Sequence, residues 1–341
     1  MRRWKLEKNK EVFLLLIFLF IGAKLVANDW TLFLYQEVGN LFLPHWNMKY
    51  ERVLPKRTVV ENDEPKKIKE EAKEKEIFWE DCVEVTADVT EPQPLVEKEI
   101  VYSIPAFYQV DPSTCAIESL FDFNAFLQRD MKIDMSVSGP KVLIYHTHGT
   151  EAYKDSRPGV EEDTVIGVGD YLASILTEQY GISVLHHRKA YDREDKENSY
   201  LYVSRELPQI LEANPSIQVV IDLHRDGVDE QTRLVTVENG KKMAQIMFFN
   251  GICKDSKGNP LPNLENENLL DNLSFSFQMQ LQAKKNYRKL VRKIYIRGYR
   301  YNMQFCKKSM LLEVGAQNNT VEEAKNAMEP FAKILASVIL P

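Results

Sequence analysis

Apolar residues run without a break from Val12 to Ala23 (VFLLLIFLFIGA), and after Lys24 the triplet Leu25-Val26-Ala27 closes the run. Arg2, Arg3, Lys5, Lys8 and Lys10 precede it, against Glu7 and Glu11. A basic flank ahead of such a run predicts a secretion signal or a membrane anchor. The run is shorter than the about 20 residues of a full span, but Lys24 can snorkel and Trp30 sits where an interfacial aromatic belongs. Leu25, at −3 from Ala27, is too large for a good cleavage site. The pattern therefore predicts a retained single-pass anchor over residues 12–28. Residues 1–11 form a basic cytoplasmic tail, and everything after the anchor lies outside the membrane. Residues 29–100 reverse the pattern. Of the 50 residues from 51 to 100, 24 are charged, KKIKEEAKEKE among them, and Pro55, Pro65, Pro92 and Pro94 interrupt the stretch. It cannot bury enough apolar surface to offset its ordering entropy, and it reads as a flexible or partly helical stalk.

From about residue 101 strand-like apolar runs alternate with helical periodicity. Strands are predicted at 142–145, 182–186, 217–223, 232–237, 242–249 and 309–314. Val165, Val168, Leu172, Ile175 and Leu176 share one helical face, with Asp163 as the expected N-cap and Gly181 past the C-terminus. Further helices are predicted over 199–213 and 266–287. The last begins at a capping box, Thr320 and Glu323, and carries Ala324, Ala327, Met328, Phe331, Leu335 and Val338 on one side. Strands alternating with helices predict an α/β fold: a single three-layer domain, 101–341, with a mixed, largely parallel sheet flanked by helices. Gly167 and Gly169 make a GxG, but no strand-turn-helix phosphate loop accompanies it, so it is not a dinucleotide site.

Composition adds limits. The chain is 341 residues, 44% hydrophobic and 28% charged, with 44 Lys+Arg against 50 Asp+Glu and a formal charge of −6. A chain with no basic excess is not expected to bind nucleic acid. Cys82, Cys115, Cys253 and Cys306 form no CxxC pair, which excludes a zinc ribbon or thioredoxin motif. With Cys82 in the stalk, at most one disulfide is expected in the globular part.

The candidate chemistry lies where predicted strands end, which is where α/β sheets place their sites. The first strand runs into Tyr145-His146-Thr147-His148-Gly149-Thr150-Glu151, the strand at 217–223 into His224-Arg225-Asp226-Gly227, and the last ends with Glu313-Val314-Gly315. His148 and Glu151 form an HxxE pair. With His224 they make a His, Glu, His set suited to Zn2+, leaving a fourth position to water whose pKa the ion lowers towards about 7. In an extended segment His146 and His148 point the same way, so either could be the ligand. The spacing to Glu151 favours His148 and leaves His146 as a supporting or substrate-contacting residue. Glu313, an acid on an apolar strand, is the expected proton-transfer group, the alternative being a buried ion pair with Arg225 or Arg297. Arg225 could hold a peptide carboxylate or an oxyanion, or pair with Asp226 or Asp222. Tyr200, Tyr202 and Arg205 are candidates for a glycan groove. His186 and His187 are expected to shape the rim.

The stretches VLIYHTHGTEAY (142–153), DLHRDG (222–227) and LLEVGAQNNTVEEA (311–324), with GDYLASILTEQYGI and NSYLYVSR between them, resemble the stage II sporulation protein P family. The similarity covers about residues 101–341, and the anchor and stalk match that family's layout. The segment FFNGICKDSKGNPLPNLENENLLDN departs from the family's Asn- and Trp-containing stretch. The resemblance implies a zinc N-acetylmuramoyl-L-alanine amidase fold. It also implies peptidoglycan as substrate, additional endopeptidase action on peptide crosslinks, and work in engulfment during sporulation beside a stage II sporulation protein D-like lytic transglycosylase. The family motifs fall on His146, His148 and Glu151, on Asp222, His224, Arg225 and Asp226, and on Glu313. A zinc carboxypeptidase acting on wall peptides and an inactive wall-binding scaffold are the rival readings.

Overall fold

The computed structural model describes residues 102–341 apart from Asn239. The expected tail, anchor and stalk, and Cys82, lie outside the described residues. Among the described residues no helix is long and apolar enough to cross a membrane.

Among the described residues, nine strands and six α-helices follow in chain order. They are α1 (Ile104–Phe107), β1 (Tyr108–Val110), α2 (Phe123–Gln128), β2 (Val142–Tyr145), α3 (Val165–Tyr180), β3 (Val184–His186), α4 (Ser199–Ala213), β4 (Val219–Asp226), β5 (Val235–Glu238), β6 (Lys241–Ala244), β7 (Ile246–Gly251), α5 (Leu269–Asn286), β8 (Ile294–Arg297), β9 (Lys308–Ala316) and α6 (Val321–Ile339). Seven strands form one sheet in the order β1-β8-β7-β9-β4-β2-β3, and β5 and β6 make a separate hairpin. Every pairing in the large sheet is parallel except β7 with β9. The sheet is thus two parallel blocks meeting at one antiparallel seam, as expected of a mixed, largely parallel α/β sheet. The expectation had no place for β1 or β8. Both are short, and neither carries an apolar run that stands out from its surroundings.

Period-two alternation divides the residues of the central strands between two faces. Val142 and Ile144, Val219, Ile221 and Leu223, and Met310, Leu312 and Val314 join the main core with α3, α5 and α6. The opposite face carries two small apolar clusters. Leu143, Tyr145 and Val220 pack with Val203 and Leu207 of α4. Phe249 and Leu311 pack with Met303 and Tyr301. Between the clusters the alternation places Asp222, His224 and Glu313, polar residues that interrupt an otherwise apolar surface. His224 and Glu313 are direct register partners across β4 and β9.

Several boundaries differ from the sequence expectation for local reasons. Helix α3 is capped by Thr164, whose hydroxyl accepts from Ile166 N. Asp163 ends a 3-10 turn and takes the Arg157 guanidinium instead. Gly181 closes the helix at φ +65°, the left-handed conformation that glycine adopts at least cost. The capping box at Thr320 and Glu323 forms as expected. Strands β4 and β9 run past their predicted ends because they pair with each other, with a bulge between His224 and Asp226. His224 and Glu313 therefore sit inside strands near their C-terminal ends, and only the His146–Glu151 segment lies beyond a strand. Cys115, Cys253 and Cys306 are free.

Candidate active site

Asp222 anchors the segment that follows β2. Its carboxylate accepts from Thr147 N at 2.8 Å and from the Thr147 hydroxyl at 2.6 Å. Below this anchor the chain turns, and His146 and His148 part company. His146 is fully buried on the face shared with α3. The Leu223 carbonyl can only accept, so His146 Nδ1, 2.8 Å away, carries a proton. Its Nε2 then lies 2.8 Å from His186 Nε2, and His186 Nδ1 lies 2.8 Å from Asp170. Burial, reinforced by His186, holds the His146 imidazole down at about 3. His146 thus lies behind the turn, held between the Leu223 carbonyl and His186. His186 belongs to this buried chain and not to the rim, while His187 faces Tyr191 and Glu206.

Gly169 makes the chain possible. A Cβ there would stand 2.7 Å from His186 Nε2 and 2.9 Å from His146 Nε2. In a helix interior Gly→Ala normally stabilises by about 1 kcal/mol. Here Gly169→Ala is expected to destabilise by about 1–3 kcal/mol through overpacking, read as a lowered urea midpoint at unchanged slope. A higher midpoint would mean the two rings have room to move.

His148 lies on the other face, with Glu151 and His224. His148 Nδ1 is 3.2 Å from the Ser199 hydroxyl and 3.9 Å from Asp192, which also accepts from Thr150 N and its hydroxyl. The His148 and His224 ring centroids are 5.3 Å apart at 83°. His224 Nδ1 lies 3.3 Å from Glu151 Oε2, and its Nε2 lies 2.8 Å from Asp222 Oδ1. The latter contact is close but poorly aligned, and it leaves Nε2 without a formal hydrogen bond. Glu151 also accepts from Arg225 N at 3.0 Å. The bulge after His224 turns that N–H inward.

These charges fix one another. Burial disfavours a charged His224, yet Asp222 and Glu151 outweigh it and raise its pKa well above the ordinary imidazole value. Glu151 and Asp222 are lowered in return, against their own burial, by His224 and by the N–H and hydroxyl donors. Glu313 has no such partner. It is pushed up to about 8 by burial, with Glu151 and Asp226 adding to the effect and His224 opposing it. Its Oε2 is buried without a hydrogen-bond partner. Arg297 pairs with Asp111 instead, and the Arg225 guanidinium goes to the Ala152 and Asp226 carbonyls. Neither arginine forms the ion pair with Glu313 that was the alternative. Arg225 clamps the HxxE segment to β4, and the Asp226 carboxylate is taken by Arg292 at 2.7 Å.

Among the described residues, no three His, Cys, Asp or Glu side chains are gathered as they stand into a group that could hold a metal ion. His224 and Glu151 contact each other in the manner of an ion pair. The donor types still fit a divalent ion. Two imidazoles sharing a tetrahedral zinc place their ring centroids about 5 Å apart, given Zn–N of about 2.0–2.1 Å, close to the separation seen. The carboxylate behind His224 is the partner that metal-ligating histidines usually have.

Tyr200 packs against both imidazoles. Tyr202 and Arg205 face elsewhere, into a groove of about 730 Å³ lined also by Lys189, Tyr191 and Glu206. The three candidate groove residues therefore divide between two places. Sequence reasoning missed Thr147, Asp192 and Ser199, common polar residues in segments without periodicity, and Tyr301, which reaches the site from beyond β8.

An α/β domain with a His, Glu, His and acid cluster at the C-terminal end of its central strands is the frame of a hydrolytic site. The sequence matches the stage II sporulation protein P (SpoIIP) family over residues 28–336, and the chain belongs to that family. It is 26% identical over 218 residues to stage II sporulation protein P of Bacillus subtilis (strain 168), a match covering 58% of this chain and 50% of that protein. The matched region thus spans about half the relative's length. Similar solved structures include N-acetylmuramoyl-L-alanine amidase AmiC2 of Nostoc punctiforme, with 12% identity, 59% of this chain, 98% of that chain and a TM-score of 0.35. Another is the Ami1 amidase of Mycobacterium smegmatis, with 12% identity, 61% of this chain, 95% of that chain and a TM-score of 0.36. A third is the CwlD amidase of Clostridioides difficile, solved with the GerS lipoprotein, with 16% identity, 58% of this chain, 93% of that chain and a TM-score of 0.34.

Proposed function

We propose that this protein is a metal-dependent peptidoglycan hydrolase of sporulation that cleaves the amide between N-acetylmuramic acid and L-alanine. One observation carries the reading: Glu313, half-buried with its Oε2 buried and lacking a hydrogen-bond partner, is the register partner of His224, which lies against Glu151 and beside His148. A carboxylate left bare beside two imidazoles and a second carboxylate is costly unless it is used.

In this reading His148, Glu151 and His224 hold Zn2+. When bound, the ion supplies Lewis acidity, polarising the scissile carbonyl and acidifying water. Asp222 fixes the His224 ring, and the Asp222–Thr147 and Arg225–Ala152 contacts fix the turn that carries the other two ligands. Glu313 takes a proton from the attacking water and returns it to the leaving amine. Its raised value suits that exchange, and a neighbouring cation draws it towards the ionised form a base needs. Residues 12–28 tether the domain to the membrane, with residues 29–100 as the reach to the wall. Endopeptidase action and a lytic transglycosylase partner belong to the same reading.

The test is digestion of purified wall by the full chain, with product mapping. The expected products are peptide-free glycan and stem peptides with new L-alanine amino termini. Chelation should abolish their release, and added Zn2+ should restore it. Trimmed peptide tails alone would indicate a carboxypeptidase, and wall binding without products an inactive scaffold.

A further inference from the structure

One wall of this site is aromatic and has no task in the reaction. The Tyr200 ring stands 5.5 Å from His148 and is stacked on His224 at 6.5 Å. Tyr301 meets Tyr200 edge-on at 5.4 Å, and Tyr299 meets Tyr301 edge-on at 6.4 Å. Tyr299 is 57% exposed, the most exposed large hydrophobic residue among the described residues. The rings form a continuous series from the two imidazoles to the surface.

Tyr301 is held there against its backbone preference. It and Asn302 adopt φ of +51° and +56°, consecutive left-handed residues in a region that bulky side chains avoid. Such strain persists only where the surroundings over-determine it, and it clusters at functional sites. Here the surroundings are specific. The Asn302 amide donates to the Tyr200 carbonyl at 3.0 Å. The Tyr301 ring packs on Phe249 at 4.7 Å, with the Arg297 charge nearby. The loop also lies directly on Gly251, where a Cβ would come within 2.0 Å of the Tyr299 carbonyl and 2.8 Å of the Tyr301 ring. Each of these contacts fixes the same thing, the edge of one ring against Tyr200 beside the imidazoles.

We infer that Tyr200, Tyr301 and Tyr299 form a saccharide subsite that takes the C–H face of a pyranose ring, with Tyr299 at its open end. The C–H hydrogens on that face are slightly positive, and the face of an aromatic ring is negative. Arg297, near this wall, is already paired with Asp111, itself bonded to Tyr295, and Arg300 donates to the Glu265 carbonyl. A charged peptide would find less here than an uncharged sugar. The inference rests on the wall-hydrolase reading for the kind of sugar, an N-acetylated one, but its test needs no hydrolysis.

The experiment titrates the full chain separately with peptide-free glycan strands and with free stem peptide. Tyr299→Ala, at an exposed position, should weaken glycan binding about ten-fold, Tyr299→Phe should keep it, and Tyr301→Ala should lose more. Peptide binding should be the same in all. Unchanged glycan affinity in Tyr299→Ala, a loss that falls on the peptide instead, or no glycan binding by the wild type would each overturn the subsite. If the expected binding pattern appears but intact wall yields no released peptide, the hydrolase reading fails and the subsite stands. Wall hydrolysis combined with glycan affinity indifferent to both alanine variants sinks the subsite alone.

Discussion

Glu313→Gln is expected to lower the turnover of wall hydrolysis by about 10²–10⁴-fold, the usual contribution of a positioned proton-transfer group, while bound metal stays at the wild-type level. The glutamine matches the shape of the carboxyl and cannot exchange the proton. The same substitution should leave the metal-free protein no less stable at neutral pH. The sign follows from burial. A carboxyl pushed up to about 8 is protonated more readily folded than unfolded, so it costs stability as pH rises from about 4.3, the unfolded value, through about 8. Removing its charge removes that cost. Turnover measured beside metal content and thermal midpoint separates the outcomes. Retained hydrolysis would take Glu313 out of the reaction. Lost metal with lost turnover would make it a ligand.

His224→Ala should have the larger structural effect. His224 lies between Asp222 and Glu151, at 2.8 and 3.3 Å, with Glu313 beside it in register. Removing one member of such a buried set costs about 3–5 kcal/mol, because the remaining charges lose their compensation. Bound zinc should fall from one equivalent to none. The pH dependence has a definite direction. With His224 raised above its unfolded value of about 6.5, its contribution to the metal-free protein is fully present below that value and is lost as pH rises through the higher folded one. The variant should therefore be most destabilised on the acid side. Unchanged zinc stoichiometry in His224→Ala would refute its assignment as a ligand.

Much of this site was legible before the fold was known, for a physical reason. Asp222, His224 and Glu313 break apolar strand patterns at alternate positions, and a polar residue on a buried strand needs a partner or a use. The register of β4 against β9 then places them on one face opposite the main core. The turn after β2 was not legible in the same way. Extended geometry put His146 and His148 together, but the chain leaves the strand at Tyr145, and the Asp222–Thr147 contacts turn the two imidazoles to opposite faces. Asp222 lies 75 residues from Thr147 in sequence, and local pattern carries no trace of such a contact. Gly167 and Gly169, rightly not a phosphate loop, are points of close approach, Gly169 against the His146 and His186 imidazoles and Gly167 against Glu162. Tyr301 was hidden for a third reason: its place beside Tyr200 comes from a left-handed backbone pair that no propensity favours.

The central claim is that His148, Glu151 and His224 share one ion. X-ray absorption at the zinc edge, on the full chain loaded with one equivalent, tests it most directly. The predicted shell contains two imidazole nitrogens and oxygen donors with no sulfur, and it loses one imidazole in His148→Ala. A shell containing cysteine sulfur, or one left unchanged by His148→Ala, would contradict the claim.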